Sequence, residues 1–153
     1  MYRQILVPFD GSKYAKNALD EAIGLAKITG ARVHLFTVVN ISGIVPPGSL
    51  LGLVKGASAG ELQRRLLKSA ETETEDIGKT QIEYCKSKGV DADYEAVLDG
   101  NTAEEILRAA KKKSADLIVI GSHGLHGIGK IKTLGSVSRK VSEFTHCPVL
   151  IVR

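Results

Sequence analysis

The chain has 153 residues, 43% hydrophobic and 25% charged, with a formal net charge of +4. Length and composition describe one globular domain with room for a hydrophobic core, and exclude a disordered or collagen-like chain. The basic residues are interleaved with acids, Lys111-Lys112-Lys113 being the one run of three, and 3 Phe, 4 Tyr and no Trp offer little to stack on bases. Nucleic acid is therefore not the expected partner.

Residues 4–9 (QILVPF) predict a short apolar strand of the kind covered on both faces. Ser12 suits a helix N-cap, its hydroxyl accepting from a first-turn N–H. Ala15, Ala18, Leu19, Ala22, Ile23 and Ala26 then share one face at helical spacing, and Gly30 closes the helix. Residues 33–39 predict the second strand. Residues 41–60 break the rhythm with five glycines and a Pro-Pro pair; a flexible glycine-rich insertion is expected, and irregular loops of this length are uncommon in compact domains and usually functional or disordered. Residues 61–88 predict a long helix with Leu62, Leu66, Ala70, Ile77 and Tyr84 inward, stopped by Gly89. Residues 94–98 form the third predicted strand. Thr102-Ala103-Glu104-Glu105 fits a capping box, with Ile106, Leu107 and Ala110 facing in behind it. Residues 116–120 predict the fourth strand, Val137, Val141 and Phe144 the inner face of a last helix, and residues 148–152 the fifth strand.

Strict alternation of strand and helix implies a parallel sheet between two layers of helices, because each crossover must carry the chain back along the sheet. The expected fold is a single domain over residues 1–153, a three-layer α/β/α sandwich with a five-stranded parallel sheet, Rossmann-like. In such sheets ligands bind outside the carboxyl ends of the strands, where strand order reverses. Asp10 and Gly121 end the first and fourth strands; as neighbours they would frame a cleft.

Cys85 and Cys147 make neither a disulfide framework nor a metal knuckle and are expected as free thiols. No apolar run reaches membrane-spanning length; residues 41–54 come nearest and are interrupted by Pro46-Pro47 and three glycines. The first strand begins without a signal-peptide pattern, so the cytoplasm is the expected compartment.

Residues 117–138 (LIVIGSHGLHGIGKIKTLGSVS) carry the strongest chemical signal. A buried strand, a glycine loop and a helix start together can hold an anion, commonly a phosphate, on main-chain N–H groups. The same glycines also suit a plain connecting loop, and composition alone leaves both readings open. GLHGIGK (124–130) has the spacing GxxxxGK, but Ile131 stands where a P-loop needs Ser or Thr and no helical period follows. The dinucleotide fingerprint GxGxxG is missing from the first turn, PFDGS. Asp10 could accept from a ribose hydroxyl or a base amine, or cap its own turn. His123 and His126 are too few for a metal site without acidic or thiolate neighbours; His34, alternating outward on the second strand, and His146, near a helix end, read as structural. No GxSxG nucleophile occurs and Asp10, Asp99 and Asp116 form no acid–base pair, so any catalysis should be slow.

Taken together, ILVPFDGS (5–12), VLDGNTAEEIL (97–107), ADLIVIGSHG (115–124), LGSVSRKV (134–141) and CPVLIVR (147–153) give a chain that resembles the universal stress protein family over nearly its full length. The resemblance implies an α/β fold with a five-stranded parallel sheet and homodimerisation through the C-terminal strand. One branch of the family binds ATP and is marked by G-x2-G-x9-G-[ST]. By position, Gly121 and Gly124 are the first pair and Gly135-Ser136 the closing pair, whose N–H groups and hydroxyl would hold the phosphates. Pro8, Asp10 and Val38 would line the adenosine end, with Ile120 beneath it, and Val137 and Ser138 would continue the phosphate-side helix turn. The spacer from Gly124 to Gly135 holds ten residues where the pattern has nine, a departure that opens the site to ADP or AMP as well as ATP. Mg²⁺ or Mn²⁺ would ride on the phosphates. The resemblance thus implies a cytoplasmic ATP-binding stress-response protein, a homodimer acting as a nucleotide-dependent switch on an unidentified protein partner, with at most slow ATP hydrolysis. The alternative is a homodimeric interaction module of the same family that binds no nucleotide.

Overall fold

In the computed structural model, which describes residues 1–40, 59–125 and 133–153, strands and helices alternate along the whole chain. β1 (Gln4–Pro8), β2 (Arg32–Val39), β3 (Ala92–Leu98), β4 (Leu117–Gly121) and β5 (Val149–Val152) are separated by α1 (Lys13–Thr29), α2 (Ala59–Ser87), α3 (Thr102–Lys112) and α4 (Ser136–Phe144). The sheet is parallel throughout, in the order β3-β2-β1-β4-β5. The chain steps outward from β1 to β3 and then crosses back to lay β4 beside β1. Strand order therefore reverses between β1 and β4, as the cleft expectation required.

Alternating side chains on the strands feed two cores. Ile5, Val7, Val33, Leu35 and Val119 pack under the apolar face of α1, with Cys85 of α2. Leu6, Phe36, Ile118 and Ile120 pack under Ala103, Ile106 and Ala110 of α3 and Val141 of α4. Three layers follow from this division, and the inner strands read as continuous apolar runs because neither face meets water. Cys85 and Cys147 are both free thiols. Burial pushes the Cys85 thiol up to about 11, so it stays protonated and inert.

Helix ends explain most boundaries. Ser12 Oγ accepts from Ala15 N at 3.1 Å, and Gly30 closes α1 in the left-handed region, φ 73°, donating to Ala26 O at 2.8 Å. α3 departs from expectation. Its cap is Asn101, whose Oδ1 accepts from Glu104 N at 3.2 Å, while Thr102 already lies in the first turn. The Asn101 amide oxygen takes the first-turn donor, and exposed Glu104 pairs with Lys140 of α4 at 3.0 Å.

Three inward or outward assignments are corrected. His34 is 5% exposed rather than outward, because its alternation faces α3 and not solvent. Tyr84 and Phe144, expected inward, are 37% and 66% exposed. Tyr84 turns its hydroxyl to Asp20 at 2.8 Å, and Phe144 is the last residue of a nine-residue helix, past the sheet it covers. Of the expected insertion at 41–60, residues 59–60 belong to α2 and the remainder lies outside the described residues, as do His126 and the spacer over 126–132. The side chain of Leu62 is likewise outside them.

Candidate functional site

β1 ends at Pro8, and the chain turns through Phe9-Asp10-Gly11 into α1. Gly11 takes φ 80°, a conformation open to glycine without a steric penalty. Asp10 closes this turn, its Oδ1 accepting from Ser12 N at 2.9 Å. The other carboxylate oxygen crosses the reversal point and accepts from Leu125 N, in the loop after β4, at 3.0 Å. The turn-capping reading of Asp10 is thus present in the structure, together with a second bond that ties the two loops bordering the cleft. Each carboxylate oxygen retains acceptor capacity for a further donor.

The loop after β4 is shaped by close approaches. A Cβ on Gly121 would lie 2.8 Å from the backbone carbonyl carbon of Tyr14, so α1 sits too near for any side chain there. A Cβ on Gly124 would lie 2.9 Å from Asp10 Oδ2 and would disturb the clasp to Leu125. Ser122 is fully buried; its N–H donates to Val152 O at 2.7 Å and its carbonyl accepts from Gly135 N at 2.8 Å. His123 follows, Nδ1 3.0 Å from Ser122 Oγ and its ring tilted against Tyr14 at 5.3 Å between centroids.

Across from this loop begins α4. Its N-cap is Gly135, with no side chain to cap the first turn, and the first intrahelical bond is Arg139 N to Gly135 O at 3.0 Å. The N–H groups of Ser136, Val137 and Ser138 therefore precede the first intrahelical donor, Arg139 N, and gather the positive end of the helix dipole. The Gly135 N–H is already spent on Ser122. The Ser138 hydroxyl, 3.0 Å from both Ser122 O and Gly135 O, is buried and locks α4 to the β4 loop rather than opening to the cleft. Ser136 is exposed.

Between these walls lies a cavity of about 890 Å³. All ten residues singled out from the sequence line it: Pro8, Asp10, Val38, Ile120, Gly121, Gly124, Gly135, Ser136, Val137 and Ser138. Phe36, Val38 and Ile106 give one end an apolar floor, while Asp10, Gly124 and the α4 start form a polar end. Sequence reasoning missed the remaining wall. Thr37, whose hydroxyl donates to Phe9 O at 2.7 Å, and Glu73, Thr74 and Ile77 of α2 also line the space. Thr37 neighbours Val38 in β2 and could have been suspected from that; helical spacing marks Ile77 as inward but not as cleft-lining, and Glu73 and Thr74 carry no local signal, because only the long crossover brings them over the strand ends. Chemically the arrangement offers an apolar slot leading to a helix N-terminus, suited to a ligand with a flat apolar portion and an anionic tail. Among the described residues no three His, Cys, Asp or Glu side chains converge as metal ligands, and no helix is long and apolar enough to cross a membrane.

Comparison with known proteins extends this picture. The model of the universal stress protein family matches residues 1–153. Universal stress protein YxiE of Bacillus subtilis is 36% identical, with 100% of both chains covered. Universal stress protein MJ0531 of Methanocaldococcus jannaschii is 38% identical, covering 100% of this chain and 83% of its own. Among solved structures, hypothetical protein MJ0577 superposes with a TM-score of 0.83 at 26% identity, over 99% of this chain and 96% of its own. A universal stress protein solved in complex with cAMP shares the fold at TM-score 0.68 and 24% identity, covering 99% of this chain and 97% of its own. One from Archaeoglobus fulgidus, solved with dAMP, shares it at 0.63 and 20%, covering 99% and 98%. With the family model spanning every residue and relatives this similar over the full length, the chain belongs to the universal stress protein family.

Proposed function

We propose that this chain is an adenine-nucleotide-binding member of its family, of the ATP-binding branch, acting as a nucleotide-dependent regulatory switch in the cytoplasm. One observation carries the reading: a single cavity at the β1/β4 reversal joins an apolar slot to the uncapped start of α4 and to a glycine at 124 whose place no Cβ could take without striking Asp10. Adenine would lie in the slot beside Val38, above Ile120 and next to Pro8. The ribose hydroxyls would donate to Asp10. The phosphates would meet the N–H groups of Ser136, Val137 and Ser138, the Ser136 hydroxyl and the backbone around Gly121 and Gly124, which is chemistry that helix N-termini supply readily. Gly135, its own N–H engaged, would contribute by leaving room. Mg²⁺ or Mn²⁺ would be held by phosphate oxygens and water, with ATP, ADP and AMP as candidate ligands. The presence of cAMP and dAMP in two structures of this fold is consistent with an adenine nucleotide here.

Binding rather than turnover is the function proposed, with at most slow hydrolysis, since Asp10 already accepts two backbone hydrogen bonds. The occupied state would be read by a protein partner. A second reading, a homodimeric module that binds no nucleotide, draws on the ten-residue spacer and on the Gly135 N–H being spent. Titration calorimetry with ATP and Mg²⁺ on protein stripped of nucleotide decides between them. Binding at micromolar or lower Kd is expected; absence of heat and of any thermal shift would leave the interaction module standing.

A further inference from the structure

The polar end of the cavity poses an electrostatic question that glycines and N–H groups do not answer. The described lining of the whole cavity includes two carboxylates, Asp10 at that end and Glu73 on the α2 wall, and neither lysine nor arginine. Among the described residues, a polyphosphate entering the cavity would meet acidic side chains with no lysine or arginine to offset them. One basic side chain does line the space among the described residues: His123, between Gly121 and Gly124. Its Nδ1 lies 3.0 Å from the hydroxyl of fully buried Ser122, and one face rests on the Tyr14 ring. Two neighbours therefore fix the imidazole in place, and Nε2 has no hydrogen-bond partner among the described residues. The residue also stands beside the start of α4: a Cβ on the N-cap Gly135 would lie 3.4 Å from His123 Cα.

We infer that His123 is the cationic contact for the nucleotide's phosphates and makes their affinity depend on its proton, an inference that rests on the nucleotide reading above. With Nδ1–H donated to Ser122 Oγ, the protonated ring presents Nε2–H to a phosphate oxygen, a charge-assisted hydrogen bond. The neutral ring presents a lone pair, which repels that oxygen. Imidazoles change charge between about pH 5 and 8. Among the described residues, the titratable groups that touch the ring or share the cavity with it are Tyr14 from α1, Asp10 from the turn after β1 and Glu73 from α2, and Arg139 lies at the end of the first turn of α4. Adenosine, lacking phosphate, should be indifferent to the ring's charge.

The test is calorimetry with ATP and with adenosine, from pH 5.5 to 8, on the wild type, His123→Gln and His123→Asn. Circular dichroism and thermal melts establish folding, and the second variant stands in if the first is unstable. The wild type should lose ATP affinity as pH rises. At pH 6 the variants should bind ATP about tenfold more weakly than wild type, and adenosine within about twofold. Because phosphate itself titrates near pH 6, the slope is read as wild type minus variant. Equal ATP affinity and equal pH slope in wild type and variants would overturn the role of His123 while leaving nucleotide binding intact. A wild type that binds neither ATP nor adenosine overturns this inference and the nucleotide reading together. Parallel loss of ATP and adenosine in folded variants would make the ring a support of the cleft and overturn its phosphate role.

Discussion

Gly121 and Gly124 carry the same letter in the same motif and answer to different physics. At Gly121 an added methyl would strike α1 backbone at 2.8 Å, atoms that cannot move without shifting a core helix. Gly121→Ala should therefore cost about 1–3 kcal/mol of stability, the range for overpacking a tight interior, read in urea unfolding. At Gly124 the neighbour is the end of one side chain, Asp10 Oδ2 at 2.9 Å. Gly124→Val should leave the melting temperature within a few degrees of wild type and abolish measurable ATP binding, because its branched side chain fills space a phosphate needs. Retained affinity in that variant would move the site elsewhere. Asp10 combines the two roles. Asp10→Ala removes acceptors from Ser12 N and Leu125 N and should weaken adenosine binding by about 1–3 kcal/mol. Unchanged adenosine affinity with lowered stability would reduce Asp10 to a clasp.

At the scale of elements, strands and helices were legible because nearly every local signal agreed with the tertiary outcome: Ser12 and Gly30 bracket α1, and apolar runs mark the buried strands. The signals that failed were those needing knowledge of a neighbour. Helical spacing marks a direction but not how far a face is covered, so Tyr84 and Phe144 read as inward. Alternation on β2 could not say that the other face of the sheet is also buried, so His34 read as outward. In the structure His34 joins three strands, with Nδ1 2.9 Å from Asp93 Oδ2 on β3 and Nε2 2.6 Å from Gln4 Oε1 on β1. Lys113, at the end of α3, reaches both Asp93 and Glu95, and Lys112 reaches Glu95 at 2.6 Å. Burial alone would push Asp93 up, but the hydrogen bonds and charges of His34 and Lys113 outweigh it and hold its carboxyl below the ordinary value. Lys112 chiefly does the same for Glu95. Folded values below the unfolded ones mean that this network stabilises fully above the ordinary carboxylate range, near pH 4, and is lost as pH falls through the folded values. Asp93→Asn should thus be less stable than wild type by about 1–3 kcal/mol at pH 7, with the gap closing toward pH 3 in denaturant titrations. A gap constant with pH would mean that the carboxylate's charge contributes nothing.

For the whole molecule, the question is which edge of an open parallel sheet meets another copy. An exposed edge strand presents unpaired backbone groups, and proteins guard edges with charge. β3 is guarded in that way: Asp93 and Glu95 stand on it, tied to Lys112, Lys113 and Arg32. β5 has no such guard. It reads Val149-Leu150-Ile151-Val152, pairs on one side with β4, and leaves Leu150 38% exposed, with Phe144 of α4 66% exposed shortly before it in the chain. Burying apolar surface at about 25 cal/mol per Å² favours covering such a strand. Homodimerisation along β5 is therefore the assembly we propose, and its location matters to the switch. Ser122 donates to Val152 O at 2.7 Å and Gly135 donates to Ser122 O at 2.8 Å, so an unbroken chain of hydrogen bonds leads from the end of β5 to the start of α4. Leu150→Lys should shift the sedimentation profile from dimer toward monomer at tens of micromolar protein while leaving the folded domain intact, because the strand's inward residues are untouched. If β5 and the cleft are coupled through Ser122, ATP should also strengthen the wild-type dimer, and the dimer should reciprocally strengthen ATP binding by the same factor. A wild type that sediments as a monomer with and without ATP would refute both the edge assignment and the coupling; a dimer indifferent to ATP would keep the edge and leave the nucleotide signal to travel through another surface.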